Sequence, residues 1–349
     1  MMNNKTNLKL VAEITWDNDY DQHFSYSRCD NGDELFDEFF TQIKNTNQNP
    51  YPHPTVMVHN GVFHADDVLS AAFISAFIGG YTLTRSRDAE DANSADFILD
   101  VGRDMGLVDG YYRRSDGKLC LVLDHHDKDR ATYVNGVQFA ACGKLFDVFH
   151  ANRNTIPETL LWPIEASDNG QMIEGIHSSL LSWVPLFNPD WDSEADANSR
   201  FNAAVEIAVK ILIRVTEHDS SMERADEKIE DHLLNSLVNG NILVLDEYIP
   251  WQPSVIEDNE AGYSIDYVVY PMKSGGWGCQ AVPKEKGSFE TRKPFPESWR
   301  GIRGTGLEMA SGVKGGRFAH PSGFLTGWET QEAAVEAAMA STEAWEESH

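Results

Sequence analysis

Residues 55–78 read TVMVHNGVFHADDVLSAAFISAFI, and this stretch decides the fold. TVMVH (55–59) is a short apolar strand. From His64 to Ile78 the pattern is helical, and acids fall in the first turn, where the helix dipole favours them. Outward from this unit, three more runs predict strands: 81–84, 97–101 (FILDV) and 119–124 (LCLVLD). A helical stretch follows at 140–150. Apolar strands separated by helices predict an α/β fold with a doubly wound parallel sheet over 55–235.

On the N-terminal side, 8–16 and 23–28 read as strands, and 33–43 as a helix with Leu35, Phe36, Phe39 and Phe40 on one face. A polar, proline-bearing linker follows, NTNQNPYPHP (45–54). Residues 1–54 are therefore expected to be a small α+β appendage, and a chain starting near Asn49 is expected to fold without it. Residues 157–176 read as helical. A long helical pattern at 195–237 serves as a connector. Beyond it, strand-like runs at 242–245, 265–270 and 280–282 precede a glycine-rich segment, 301–327, and a closing helix from Thr330. These predict a smaller α+β lobe over 236–349, with the active site in the cleft between the two lobes.

Composition narrows the function. At 349 residues a single core is strained, so two domains are expected. The 17 Phe, 9 Trp and 11 Tyr exclude wholesale disorder. Lys plus Arg number 28 against 55 Asp plus Glu, a formal charge of −27. That excludes gripping long nucleic acid with the whole surface, but not a local basic groove or a site whose positive charge comes from metal. No apolar run reaches the roughly 18–20 residues needed to cross a bilayer. The first residues lack a signal-peptide core or presequence, so no membrane association and a cytoplasmic location are expected. Cys29, Cys120, Cys142 and Cys279 sit far apart, which suits reduced thiols rather than disulfides or a thiolate zinc site.

Three predicted strands finish on metal-binding residue types. The first ends at His59, followed by His64, Asp66 and Asp67; the third ends at Asp100; the fourth ends at Asp124-His125-His126. In an open parallel sheet, ligands bind outside the carboxyl ends of the strands. One His or Asp at a strand end is ordinarily a surface or capping residue. Three such clusters on one edge are not obtained that way. Carboxylates with imidazoles suit a pair of Mn²⁺ or Mg²⁺ ions, and two such ions, about 3.5–4 Å apart, activate water and stabilise an in-line displacement at phosphorus.

The segments HNGVFHADDVLSAAF, RSRD (85–88), ILDVG, LDHH and EASDNG (165–170) resemble, in order, the Myg-type (melanocyte proliferating gene) exonuclease family of the DHH phosphoesterase superfamily. VVYP (268–271), QAVP (280–283), FPESWRGIR (295–303) and FAHPSGFLTG (318–327) extend the likeness over residues 55 to about 340. The resemblance implies a DHH-type domain with a C-terminal substrate-binding lobe, and a nuclease that removes nucleotides from RNA 3′ ends with divalent metal. It implies that His59, His64 and Asp100 hold one ion, and that Asp66, Asp100, His125 and Asp168 hold the other. Asp124 would orient a histidine, and His126 would contact the scissile phosphate or protonate the leaving oxygen. Ala65 and Asp67 stand where the family usually has Cys and Glu, and Asp127-Lys128 where Gln is expected.

Residues 284–317 hold eight bases against four acids, with Phe289, Phe295 and Trp299 interleaved. Cations with aromatics suit single-stranded nucleic acid. Arg300 and Arg303 are expected to hold substrate, together with His320, Ser322 and Gly323, where glycine lets backbone N–H groups approach a phosphate. Arg85 and Arg87 are either phosphate clamps or partners of Asp88 and Glu90. The leading expectation is a two-metal 3′-to-5′ exonuclease on single-stranded RNA or short oligonucleotides, releasing nucleoside monophosphates. Beside it stand a small-molecule phosphoesterase (pyrophosphate, cyclic dinucleotide or nucleotide phosphate) and a non-catalytic nucleotide-binding protein. The intact ligand set argues against the last. Monomer and homodimer both stay open.

Overall fold

The computed structural model describes residues 6–13, 32–46, 53–126, 132, 136–149, 160–173, 182–256, 264–288 and 290–348. They fall into two units, Met1–Asp219 and Ser220–His349. In the first, the elements run β1 (Lys9–Glu13), α1 (Gly32–Thr46), β2 (Thr55–Val58), α2 (Ala65–Phe73, continued by a π-turn to Ile78), β3 (Thr82–Arg85), α3 (Ala89–Ala92), β4 (Phe97–Leu99), β5 (Gly110–Arg113), β6 (Leu119–Leu123), α4 (Ala141–Val148) and α5 (Trp162–Asp168). Helix α6 (Ala197–Asn235) contributes to both units.

Strands β6, β4, β2 and β3 pair in parallel, in that order, as the apolar runs predicted. Their residues alternate between two buried layers. Val56, Val58, Phe97, Leu99 and Leu121 face helices α1, α2, α4 and α6, whereas Met57, Ile98, Cys120 and Val122 face Ala89, Ala92 and Met105. Among the described residues, that second layer is covered by the single turn α3, a 3₁₀ turn at Arg103–Met105 and loops. The sheet is also mixed: β5 joins β6 antiparallel and β1 joins β5 antiparallel. A wholly parallel, doubly wound sheet is therefore not what forms. The cause is a hairpin at Asp116-Gly117, where Gly117 takes φ +84° and the Arg114 N–H donates to Lys118 O at 2.8 Å.

The described residues 6–13 and 32–46 pack into this unit rather than forming an appendage. Phe39 and Ile43 of α1 are fully buried, and the Phe39 ring lies 5.1 Å from Phe97 and 5.9 Å from Tyr111. Gln42 grips the backbone of β6, accepting from Leu119 N–H at 2.7 Å and donating to Leu119 O at 2.9 Å. The aromatic face of α1 needs cover, and the sheet provides it. The strand expected at 23–28 lies outside the described residues.

The second unit holds β7 (Leu237–Val238), β8 (Ile242–Val244), α7 (Gln252–Ile256), β9 (Tyr267–Pro271), β10 (Trp277–Ala281), α8 (Thr305–Ser311), β11 (Gly316–Ala319), β12 (Leu325–Trp328) and α9 (Gln331–Ser348). The sheet order is β11-β12-β10-β9-β8-β7, with only β8–β9 parallel among its pairs, so this lobe is α+β as expected. Small residues Ala333, Ala334, Ala337 and Ala338 lay α9 on one face, and Ala225 and Ile229 of α6 join the core on the other. The glycine-rich segment conceals strands β11 and β12. At Gly327 a Cβ would sit 2.4 Å from the Phe318 ring, so only glycine permits that cross-strand stacking. No helix among the described residues is long and apolar enough to cross a membrane, and Cys120, Cys142 and Cys279 are buried free thiols.

Candidate metal centre

The carboxyl ends of β2, β4 and β6 and the end of α5 deliver seven of the predicted metal-ligating and catalytic residues, all but Asp66, to one cavity of about 420 Å³. His59, His64, Asp100, Asp124, His125, His126 and Asp168 line it, with Arg87 among the wall residues. His59 follows β2, and the loop after it reaches His64 at the start of α2. There the His64 N–H donates to Asp67 Oδ2 at 3.0 Å. Asp66 and Asp67, in the first turn of α2, are buried. Asp100 follows β4 at φ +58°, a left-handed conformation that Asp tolerates better than most residues.

Two sets of side chains converge on Asp100. His59 Nε2 lies 3.1 Å from Asp67 Oδ2 and 3.7 Å from Asp100 Oδ2. On the other side His125 Nε2 lies 3.0 Å from both Asp100 Oδ1 and Asp168 Oδ2. Ligand atoms of His59, His64, Asp67 and Asp100 all fall within 4.8 Å of one another, as do those of Asp66, His125 and Asp168, and those of Asp100, His125 and His126. The first group is the predicted set plus Asp67. Asp66 is grouped with His125 and Asp168 but not with Asp100.

The tautomers can be assigned from the neighbours. Asn169 Nδ2 donates to the carbonyls of Gln138, Phe139 and Glu165, so its Oδ1 is the acceptor for His125 Nδ1–H at 3.0 Å. That leaves the His125 Nε2 lone pair aimed between two carboxylates. Such an array of acceptors needs a proton or a cation. Asp66 Oδ2 and Asp67 Oδ1 are also buried without a hydrogen-bond partner. Oxygen and imidazole donors with no thiolate fit Mn²⁺ or Mg²⁺. Asp66 has a second task, because its Oδ1 accepts the Cys142 N–H at the start of α4, at 2.7 Å.

The ionisation balance has the same cause. Burial opposes charging His125, but hydrogen bonds to Asp100 and Asp168 outweigh it and raise its pKa to about 11. Burial likewise opposes charging His59, and contact with Asp67 overcomes it, to about 9. Burial raises Asp100 to about 6 despite its His125 partner. Burial, reinforced by Asp168 and Asp100, pushes Asp66 well above the usual carboxylate range. Protons thus sit where a cation would, and a metal must displace them. Mn²⁺ affinity should therefore fall as pH is lowered through neutrality. Calorimetry in buffers of different ionisation enthalpy should show protons released on binding. Identical heats in all buffers would contradict this displacement.

Asp124 is held differently. Burial would raise it, but hydrogen bonds from His126 and from the N–H groups of Arg103 and His126 prevail and keep it at about 2. Its Oδ1 accepts from His126 Nδ1 at 2.8 Å, and the half-exposed His126 ring stands in the cavity wall.

Arg85 and Arg87 do not pair with Asp88 or Glu90. Arg85 Nη2 donates to Gly61 O; Arg87 donates to Asn60 O and Oδ1 at 2.6 Å and to Asp104 Oδ2 at 2.7 Å. Both therefore brace the loop between His59 and His64. In the second unit Arg300 Nε donates to Phe295 O at 3.0 Å and crosses over Gly323, where a Cβ would meet it at 2.5 Å. Arg303 lies over the Phe318 ring, 5.9 Å from its centre. His320, Ser322 and Gly323 form the β11–β12 turn, with the Ser322 N–H donating to His320 Nδ1 at 3.2 Å. The aromatics expected to stack on bases do not serve: Phe295 and Trp299 are core residues of this unit, and Phe289 lies outside the described residues.

Sequence reasoning named Asp67 among the metal-binding residue types without assigning it to an ion, and passed over Asn169, Asp109 and Lys144. Asp67 and Asn169 stood inside quoted motifs, HADD and SDNG. Asp109 and Lys144 carry no local signal.

An α/β scaffold with a carboxylate–imidazole centre suited to divalent cations defines the class of this protein. The MYG1 exonuclease family model, described as an uncharacterised protein family (UPF0160), matches residues 55–160 and 121–342. The chain belongs to that family. It is 29% identical over 330 residues to human MYG1 exonuclease, covering 82% of this chain and 85% of that one. The MYG1 protein of Caenorhabditis elegans is 28% identical (83% and 95% covered) and that of Saccharomyces cerevisiae 26% (86% and 98%). Among solved structures, RecJ in complex with Mg²⁺ from Thermus thermophilus is similar at a TM-score of 0.24 and 12% identity, over 89% of this chain and 52% of that one.

Proposed function

We propose that this protein is a divalent-metal-dependent phosphodiesterase, acting as a 3′-to-5′ exonuclease on RNA or short oligonucleotides and releasing nucleoside monophosphates. The observation that carries the reading is Asp100, whose two oxygens face separate imidazole–carboxylate groups. His59, His64, Asp67 and Asp100 would hold one ion, and Asp66, His125 and Asp168, with Asp100 shared, the other. Bound Mn²⁺ or Mg²⁺ supplies Lewis acidity and lowers the pKa of water at the phosphate. Asn169 fixes His125 with Nε2 inward. Asp124 fixes His126 with Nδ1–H donated, so Nε2 is left to bond the scissile phosphate or protonate the leaving oxygen. Arg300, Arg303 and the turn at His320, Ser322 and Gly323 would hold the rest of the substrate. The names of the mammalian relatives support the exonuclease reading. Incubation with Mn²⁺ and an end-labelled RNA ladder tests it: single-nucleotide shortening from the 3′ end is expected, and endonucleolytic cuts or no cleavage would refute it.

The burial of Phe295 and Trp299 favours a second reading, short or single-nucleotide substrates, because the basic segment then lacks these stacking surfaces. With a net charge of −27, oligonucleotides of a few residues should be cut at least as efficiently as long RNA. The salt dependence should be shallow. Neutralising Arg303 should raise KM more than it lowers kcat, since it holds substrate alike in ground and transition states. A steep salt slope with a strong preference for long RNA, read from kcat/KM across a salt series, would count against this.

A further inference from the structure

Behind the Asp124-His125-His126 turn lies a buried lysine that the reading above leaves unused. Lys144 of α4 is 4% exposed. Its Nζ donates to Asp109 Oδ2 and to Asp124 O, both at 2.6 Å. Asp109, itself 3% exposed, uses its other oxygen, Oδ1, to accept the Asp124 N–H at 2.8 Å. The ring closes on one residue: the N–H and the C=O of Asp124, on the two peptide planes that flank its Cα, are held by two groups that hold each other. The Asp124 side chain is fully engaged as well, Oδ2 by Arg103 N–H and Oδ1 by His126. Among the bonds described, no other residue of the turn has both its N–H and its C=O held by side chains.

We propose that Lys144 and Asp109 form a positioning pair that sets the backbone of Asp124, and through it the ring of His126. The proposal rests on the phosphodiesterase reading for its readout, and the unaltered protein's own turnover tests that reading separately. Two physical facts favour positioning over mere stability. A buried ion pair is seldom worth more to stability than apolar residues of the same size, so stability alone is a poor reason for one here. Groups that orient a site residue from behind commonly change activity by about 10–100-fold when removed. The pair touches neither cavity nor substrate; it acts through Asp124.

Lys144→Met alone leaves the Asp109 charge buried and uncompensated, so that variant is expected to unfold more readily. The decisive variant is Lys144→Met combined with Asp109→Asn, which removes both charges and keeps an oxygen for the Asp124 N–H. It should melt close to the unaltered protein and retain the stabilisation by Mn²⁺, because no ligand is changed. On a short oligonucleotide its kcat should fall at least tenfold while KM moves less than about threefold. A double variant with native stability and native kcat would overturn the proposal. An independent check needs no variant. The Asp124 amide should be as protected from hydrogen exchange as the amides of β6, and exchange at the rate of an open loop would overturn the clamp outright.

Discussion

Replacing Asp100 by alanine should abolish turnover and remove most of the thermal stabilisation by Mn²⁺, whereas His126→Ala should lower turnover and leave that stabilisation largely in place. Asp100 has an oxygen toward each cluster, so its loss disables both. His126 stands 3.4 Å from Asp100, but its Nδ1 is committed to Asp124 at 2.8 Å. Removing an oriented acid or bonding group commonly costs about 10²–10⁴-fold in rate. Asp100→Asn is the sharper control, because asparagine also accepts the left-handed φ of +58° while losing the charge. Melting curves with and without Mn²⁺ separate the two variants. Equal loss of the Mn²⁺ response in both would show that His126 is a ligand and that the division of roles is wrong.

A chain lacking residues 1–46 should be insoluble or unfolded. The deletion removes the edge strand β1, uncovers β5, and strips Phe39 and Ile43 from the core. A milder change makes the same point quantitatively: Phe39→Ala should lower unfolding free energy by about 3–5 kcal/mol, as for other buried phenylalanines. Against a typical total of about 5–15 kcal/mol that is a large fraction. Urea unfolding of the first unit measures it. A soluble, cooperatively melting truncation would mean that the polar linker at 45–54 marks a true boundary after all.

The parallel core of the sheet was legible because β2, β4 and β6 are short, largely apolar runs that each lead into a polar residue, the signature of strands buried on both faces. The candidate site was legible for the same reason: His59, Asp100 and Asp124 are the first polar residues after those runs. What escaped depended on pairing at a distance. Tyr111 and Tyr112, preceded by Asp109-Gly110 and followed by two arginines, do not announce an inner strand. Gly316–Ala319 and Leu325–Trp328 hide among glycines, and the purpose of Gly327, making room for Phe318, is visible only when the strands are side by side. The linker composition at 45–54 was read correctly as polar but wrongly as a separation, because the need of Phe39 for cover outweighs the character of the connection. Lys144 was invisible because a lysine in a helix is ordinarily solvated, and nothing nearby in sequence predicts the buried Asp109 that receives it.

The pairing of β1 with β5 has a consequence for how the chain is made. Lys9 lies opposite Arg113, 104 positions further on. A ribosome adding about 5–20 residues per second delivers the N-terminal strand roughly 5–20 s before its partner. During that interval Phe36, Phe39 and Phe40 have neither β6 nor Phe149 to cover them. The nascent chain therefore carries an apolar helix in waiting, the kind of surface that chaperones hold. Contacts this distant in sequence also form late in unaided refolding. Pulse-labelled hydrogen exchange should show residues 9–13 gaining protection after β2 and β4, and simultaneous protection would mean that the sheet is instead assembled from its edge.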